Sequence, residues 1–162
     1  MTEKLLLIFF LTLLACSAGS QSAEKEAVVR IIENLFEGMR QGDTTMVSAV
    51  FSKDARMHTI FVNGEGDPVR KEVSLQRFLN AVGTPRAEVW DEPIWDISVK
   101  IDGNLAQVWT KYAFYLDKKF SHCGVDAFQL FKSPKGWKIF QLSDTRKTEG
   151  CTIPDHIKES RK

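Results

Sequence analysis

From residue 89 to residue 146 the chain is a succession of strand-like segments, and this constrains the fold more than any other feature. Residues 89–101, 105–116, 120–132 and 137–146 are rich in Val, Ile, Phe, Tyr and Trp. Between them lie Asp102-Gly103-Asn104, Lys118-Lys119 and Ser133-Pro134-Lys135-Gly136, all of turn composition. Connections this short cannot cross over a sheet, so consecutive strands must run antiparallel. A meander of long strands has two faces, and at least one must be covered.

The cover comes from the first half of the chain. In residues 24–41, Val28, Val29, Ile31, Ile32, Leu35, Phe36 and Met39 recur at helical spacing, and Gly42 supplies a stop. Asp43 starts a capping run for a short helix over 46–51. Residues 54–62 read as a strand, Asn63-Gly64 as a turn, and 65–69 as the return of a hairpin. Residues 74–82 read as a third helix, opened by Ser74 and closed by Gly83 with Pro85 beyond. The fold class is therefore α+β, with helices on one face of an antiparallel sheet.

The length of 162 residues suits one domain, expected over 23–151 with a flexible tail at 152–162. Lys and Arg number 22 against 21 Asp and Glu, are scattered, and leave a net charge of +1. A nucleic-acid partner is not expected from such a balance. Residues 1–22 read as a leader: Lys4, an apolar run over 5–15, then small residues. The run is short for a membrane span, so contact with a membrane is expected only through this leader or an acyl anchor. Leu13-Leu14-Ala15-Cys16 resembles a bacterial lipobox, which would make Cys16 a lipidation site. Ordinary cleavage after Ala18 or Ser20 is the alternative, and either route implies export, to a bacterial periplasm or a lipid-anchored position. Cys123 and Cys151 remain as a candidate disulfide or as two free thiols. No Cys-x-x-Cys or His/Cys cluster suggests a metal, and no motif implies a cofactor.

The order helix, short helix, hairpin, helix and long sheet resembles the nuclear transport factor 2-like cone fold, also called SnoaL-like. At motif level, IENLFEGMRQGD (32–43), FSKDAR (51–56) and FSHCGVDAFQLF (120–131) are similar to its bacterial "putative lumazine-binding" group. GWKI (136–139) and DTR (144–146) fit as well. The resemblance covers residues 24–151. It implies three N-terminal helices packed on a strongly curved antiparallel sheet, with a ligand held inside the cone. The group name implies a flavin-precursor ligand. The wider superfamily includes isomerases, dehydratases, polyketide cyclases and non-catalytic binders, and fold alone does not choose among them.

Strand register follows from the turns if no strand bulges. A two-residue turn at Lys118-Lys119 puts Tyr115 opposite His122, Lys111 opposite Asp126 and Trp109 opposite Phe128. A four-residue loop at 133–136 puts Phe128 opposite Gln141. One face then carries Trp95, Trp109, Tyr115, His122, Asp126 and Gln141, the expected ligand-binding set. The other carries Val108, Thr110, Tyr112, Phe114, Cys123 and Phe140, an apolar back suited to a homodimer contact. Asp126 and His122 are the candidate catalytic residues, as proton shuttles with Tyr115 as hydrogen-bond donor. Equally, Asp126 pairs with Lys111, His122 stacks on Tyr115, and the two Trp residues pack in the core. Asp144 and Arg146 share a face and suit a pair with each other. Three functions follow: a binder of a small, partly aromatic molecule, an isomerase- or dehydratase-like enzyme in the same pocket, or an envelope protein-interaction module.

Overall fold

The computed structural model describes the backbone of residues 2–160 and the side chains of residues 21–160. The elements in order are α1 (Thr2–Gln41), α2 (Thr44–Val50), β1 (Phe51–Val62), β2 (Pro68–Ser74), α3 (Leu75–Gly83), β3 (Trp90–Asp91), β4 (Ile94–Asp102), β5 (Leu105–Leu116), β6 (Lys119–Ser133), β7 (Gly136–Arg146) and α4 (Asp155–Glu159). The leader reading, including Cys16, rests on side chains that lie outside the described residues.

Helix boundaries sit where local chemistry puts them. Gly42 turns the chain out of α1 with φ +69°. Asp43 Oδ1 then accepts from the Thr45 and Met46 amides at 2.8 and 2.9 Å, capping α2. Ser74 caps α3 in the same way, accepting from the Arg77 amide at 3.2 Å. Two helices precede the sheet, and α3 follows the β1–β2 hairpin, which corrects the expectation of three N-terminal helices. The hairpin loop is also longer than an Asn-Gly turn. Val62 pairs with Pro68, and the Asn63 side chain closes the loop by accepting from the amides of Glu65 and Asp67.

The sheet is curved and seven-stranded, ordered β2-β1-β7-β6-β5-β3, with β4 also paired to β5. β1 and β7 run parallel, so the sheet is mixed rather than wholly antiparallel. This parallel contact brings the first strand of the chain beside the last. The β3–β4 edge is one interrupted strand, broken at Glu92 and Pro93.

The core forms where α1 lies on the sheet. Val28, Ile32, Leu35 and Met39 make one buried stripe against Val108, Phe128, Leu130 and Ile139. Each such side chain stabilises the fold by roughly 1.5–3 kcal/mol. Glu24 fixes the sheet-packed half of the helix at one end, accepting from Lys132 Nζ at 2.7 Å and Trp137 Nε1 at 2.9 Å. At the other end Arg86 donates to the Met39 carbonyl of α1 and to the Ala81 and Val82 carbonyls of α3. The tail does not simply trail away after 151. Residues 155–159 form α4, and Ile157 is buried.

Candidate functional site

A cavity of about 230 Å³ opens between the helices and the inner face of the sheet. Its walls are apolar: Leu35, Phe36 and Met39 from α1, Phe78 from α3, and Trp90 and Phe114 from the β3–β5 edge. Trp90 stands edge-on to Phe114 at 5.8 Å and carries the Arg86 guanidinium 4.0 Å from its ring centre. The far end is polar. Tyr112 comes from β5, His122 and Asp126 from β6, Asp144 and Arg146 from β7, and Glu92 from the break between β3 and β4.

Alternation explains why these side chains meet. On β6, residues 122, 124 and 126 share the inner face, and Asp126 lies directly across from Asp144 on β7. Gly124, between the two β6 site residues, is opposite Tyr112. A Cβ at Gly124 would lie 1.8 Å from the Thr145 carbonyl oxygen and 2.9 Å from Tyr112 Cε1. Only glycine lets the Tyr112 ring pass, so that its hydroxyl donates to the Thr145 carbonyl at 2.9 Å.

The charges are unbalanced by design of the neighbourhood: three carboxyl groups face one guanidinium. Asp144 takes the guanidinium, accepting from Arg146 Nε at 2.9 Å, and its other oxygen accepts from Thr59 Oγ1 at 2.7 Å. Asp126 is only 3% exposed, and its Oδ2 has no hydrogen-bond partner among the described residues. Burial pushes its carboxyl well above the usual range, and Glu92 and Asp144 add to this. Glu92 is pushed up to about 8, first by burial and then by the Asp144 charge, with Arg146 opposing. His122 is pushed down to about 4, by burial and then by Arg146. Its ring stacks on Phe114 at 5.0 Å, and Nδ1 lies 3.0 Å from Ser121 Oγ. Burial, and then Asp144, also raises the Tyr112 hydroxyl. The site thus holds one ion pair, two carboxyls whose burial favours the protonated form, and an imidazole whose burial favours the neutral form.

Of the residues expected to line a pocket, the structure brings His122 and Asp126 together there and places four elsewhere. The β5–β6 turn comes one residue early: Leu116 pairs with Lys119, and Asp117 takes φ +54°. A bulge then shifts the register between Phe114 and Tyr115. Val108, Thr110, Tyr112 and Phe114 consequently face the interior, so the β5 part of the expected apolar back belongs to the inner surface, whereas Cys123 stays outside. Trp109 stands on the outer face, 50% exposed. Lys111 pairs with Asp96 at 2.7 Å instead of Asp126. Tyr115 is buried in a second cluster, with Ala113 and Cys123 and against Trp95. Trp95 reaches that cluster because β4 is irregular between Trp95 and Ser98, where Asp96 adopts φ +54°. A further shift between Leu130 and Gln129 pairs Gln141 with Gln129, and Leu142 rather than Gln141 borders the cavity.

Cys123 and Cys151 form a disulfide in the outer cluster, with Cα atoms 6.1 Å apart. Sequence reasoning paired Asp144 with Arg146 without placing them in the site, put Tyr112 on the back, and overlooked Glu92 and Thr59. Glu92 carries no periodic signal, since it sits in an irregular step before Pro93. Among the described residues no group of three His, Cys, Asp or Glu is arranged to hold a metal ion.

Solved structures with the same fold are numerous and distant in sequence. A protein of unknown function from Mycobacterium tuberculosis is 14% identical, with a TM-score of 0.66 over 82% of this chain and 77% of its own. An NTF2-like protein with a cystatin-like fold from Novosphingobium aromaticivorans is 10% identical, with a TM-score of 0.63 over 85% and 90%. A protein named "Putative Scytalone Dehydratase" from the same organism is 11% identical, with a TM-score of 0.64 over 85% and 93%. At these identities the likeness shows the fold alone. A search of curated proteins finds no match. The model of the family described as "Putative lumazine-binding" matches residues 23–142, well over half of the chain. The chain therefore belongs to that family, and its fold is the one seen in nuclear transport factor 2-like structures.

Proposed function

We propose that the protein binds a small, partly aromatic molecule in the cavity between α1, α3 and the inner sheet face. The observation that carries this reading is one enclosed space of about 230 Å³ with apolar walls and a convergent polar end. Trp90 and Phe114 offer ring faces and edges to a flat body. Tyr112, His122, Asp126 and Glu92 offer neutral donors and acceptors to its polar rim. The family description supports this, because lumazine is a planar heterocycle with polar edges. Calorimetric titration with lumazine tests it, together with native mass spectrometry of the protein purified from its host. Saturable binding or a retained small molecule is expected, weakened at least tenfold by Asp126→Asn. No heat and no retained mass would end the reading.

Asp126 also favours a second reading as a proton-transfer enzyme. A buried carboxyl with an unpartnered oxygen, beside Glu92 held to about 8, can give and take a proton near neutral pH. A pH–rate profile with an inflection that vanishes in Glu92→Gln would favour catalysis over simple binding.

Two features concern where the protein acts. The apolar leader and the disulfide both suit an oxidising, exported location. The intact mass of the native protein tests this, since an uncleaved, unacylated chain would contradict export. The outer face exposes Leu105, Trp109 and Phe131 on one side of the sheet. A second copy is the proposed cover. Sedimentation should then show a dimer that Trp109→Glu dissociates, and a wild-type monomer would refute it.

A further inference from the structure

The geometry points to an anionic ligand: the mouth of the cavity is a cationic vestibule built to hold an oxyanion head while the apolar body enters the cone. This rests on the pocket reading above and deepens it by naming the ligand class.

A second space of about 540 Å³ adjoins the cavity and shares Thr59, Val73, His122 and Arg146 with it. The two spaces therefore meet at these four side chains, the outer one on the solvent side of the buried carboxyls. Four cations line the outer space: Lys71 from β2, Arg77 from the first turn of α3, Arg146 from the end of β7, and Lys147 just beyond. No Asp or Glu lines it. In a chain with 22 basic and 21 acidic residues, four cations with no acid among them is a local excess of positive charge. Only Arg146 has a carboxylate partner. Among the described residues Lys71 and Arg77 have no ionic partner, and Lys147 Nζ reaches only the Gly150 carbonyl, at 3.3 Å. Three positive charges thus converge on a concave opening without neutralisation, where a cleft of one sign concentrates its field.

The interior complements this. Burial there disfavours charge: it raises the Asp126 and Glu92 carboxyls and lowers the His122 imidazole. An anion placed deep among these groups would lose its water for little return, whereas the vestibule keeps water and supplies charge. The arrangement therefore sorts a ligand by ends: uncharged ring inward, carboxylate or phosphate outward. Ser121, Thr148 and the cations furnish the hydrogen bonds at the outer end.

The test uses three matched probes on the purified, disulfide-intact protein: 1-naphthaleneacetate, its neutral amide, and 1-naphthyl phosphate. Calorimetry at low salt should give at least tenfold tighter binding for an oxyanion than for the amide. Raising the salt should shrink that advantage. The triple variant Lys71→Gln, Arg77→Gln, Lys147→Gln should abolish it without changing amide affinity. A control triple at exposed positions outside the vestibule, Lys25→Gln, Lys100→Gln, Lys135→Gln, should preserve it. Preference for the phosphate or for the carboxylate then tells which head the vestibule takes. Equal binding of acid, phosphate and amide would overturn the inference and leave the pocket reading standing. An advantage that survives the vestibule triple would also overturn it. No binding of any probe would overturn both.

Discussion

Glu92 keeps its proton up to about pH 8, whereas in the unfolded chain it ionises near 4.5. Between those values the folded state binds the extra proton, so stability falls as pH rises and levels off above 8. Asp126 acts in the same direction, because its carboxyl is also raised. His122 acts in the opposite direction. Its folded value of about 4 lies below the ordinary 6.5, so its contribution is complete above 6.5 and is lost as pH falls toward 4. Of these groups His122 has no further effect above pH 6.5, so urea midpoints should fall from pH 6.5 to 8 as Glu92 ionises. Glu92→Gln should remove part of the fall, on the order of 1 kcal/mol once the half-open site is allowed for. Parallel curves for wild type and variant would show that Glu92 is not the titrating group. Gly124 gives a second test at this scale. Gly124→Ala puts a methyl against the Thr145 carbonyl, which is backbone and cannot rotate aside. A loss of about 2–3 kcal/mol in chemical unfolding is expected, with weaker ligand binding as Tyr112 is displaced.

Among the elements, the helix ends and the strand irregularities carry the site. Arg86 joins the last carbonyls of α1 and α3 and lies over Trp90, so one side chain sets both the helix spacing and one wall of the cavity. Arg86→Ala should cost about 2–3 kcal/mol by urea denaturation, as three hydrogen bonds and the ring contact are lost. Arg86→Lys should recover less than half, because an ammonium cannot span two carbonyl groups and stack. Wild-type stability in Arg86→Ala would remove this role. The irregularities account for what the sequence left out of view. Turn composition located the β6–β7 connection and missed the β5–β6 turn by one residue, and within each strand pair a bulge then shifted the register by one. An inserted residue leaves no mark in a pattern of alternating apolar residues, and each shift moves every later side chain to the other face. β6 was read on its true inner face, which is why His122 and Asp126 were legible as site residues. β5 was read inside out, which is why Tyr112 was replaced by Tyr115 and Trp109.

At the scale of the whole molecule, the disulfide ties β6 to the segment after β7 across a separation of 28 residues. Closing such a loop removes unfolded-chain entropy worth about 3.5 kcal/mol. Reduction, or Cys151→Ser, should lower stability by about that amount in chemical unfolding, and an unchanged midpoint would refute the staple. The loss should also reach the vestibule, since Cys123 and Lys147 exchange backbone hydrogen bonds beside it. The sequence alone determined the kinds of element, their order, the caps at Asp43 and Ser74, and the α+β class. These depend on contacts within a few residues, which local composition records. It also located two of the buried site residues. The tertiary structure decided the parallel pairing of β1 with β7, the inner face of β5, and the gathering of Glu92, Asp144 and Arg146 around Asp126. Those depend on one-residue offsets and on segments distant in the chain, and burial raises the Glu92 and Asp126 carboxyls only once every strand is in place.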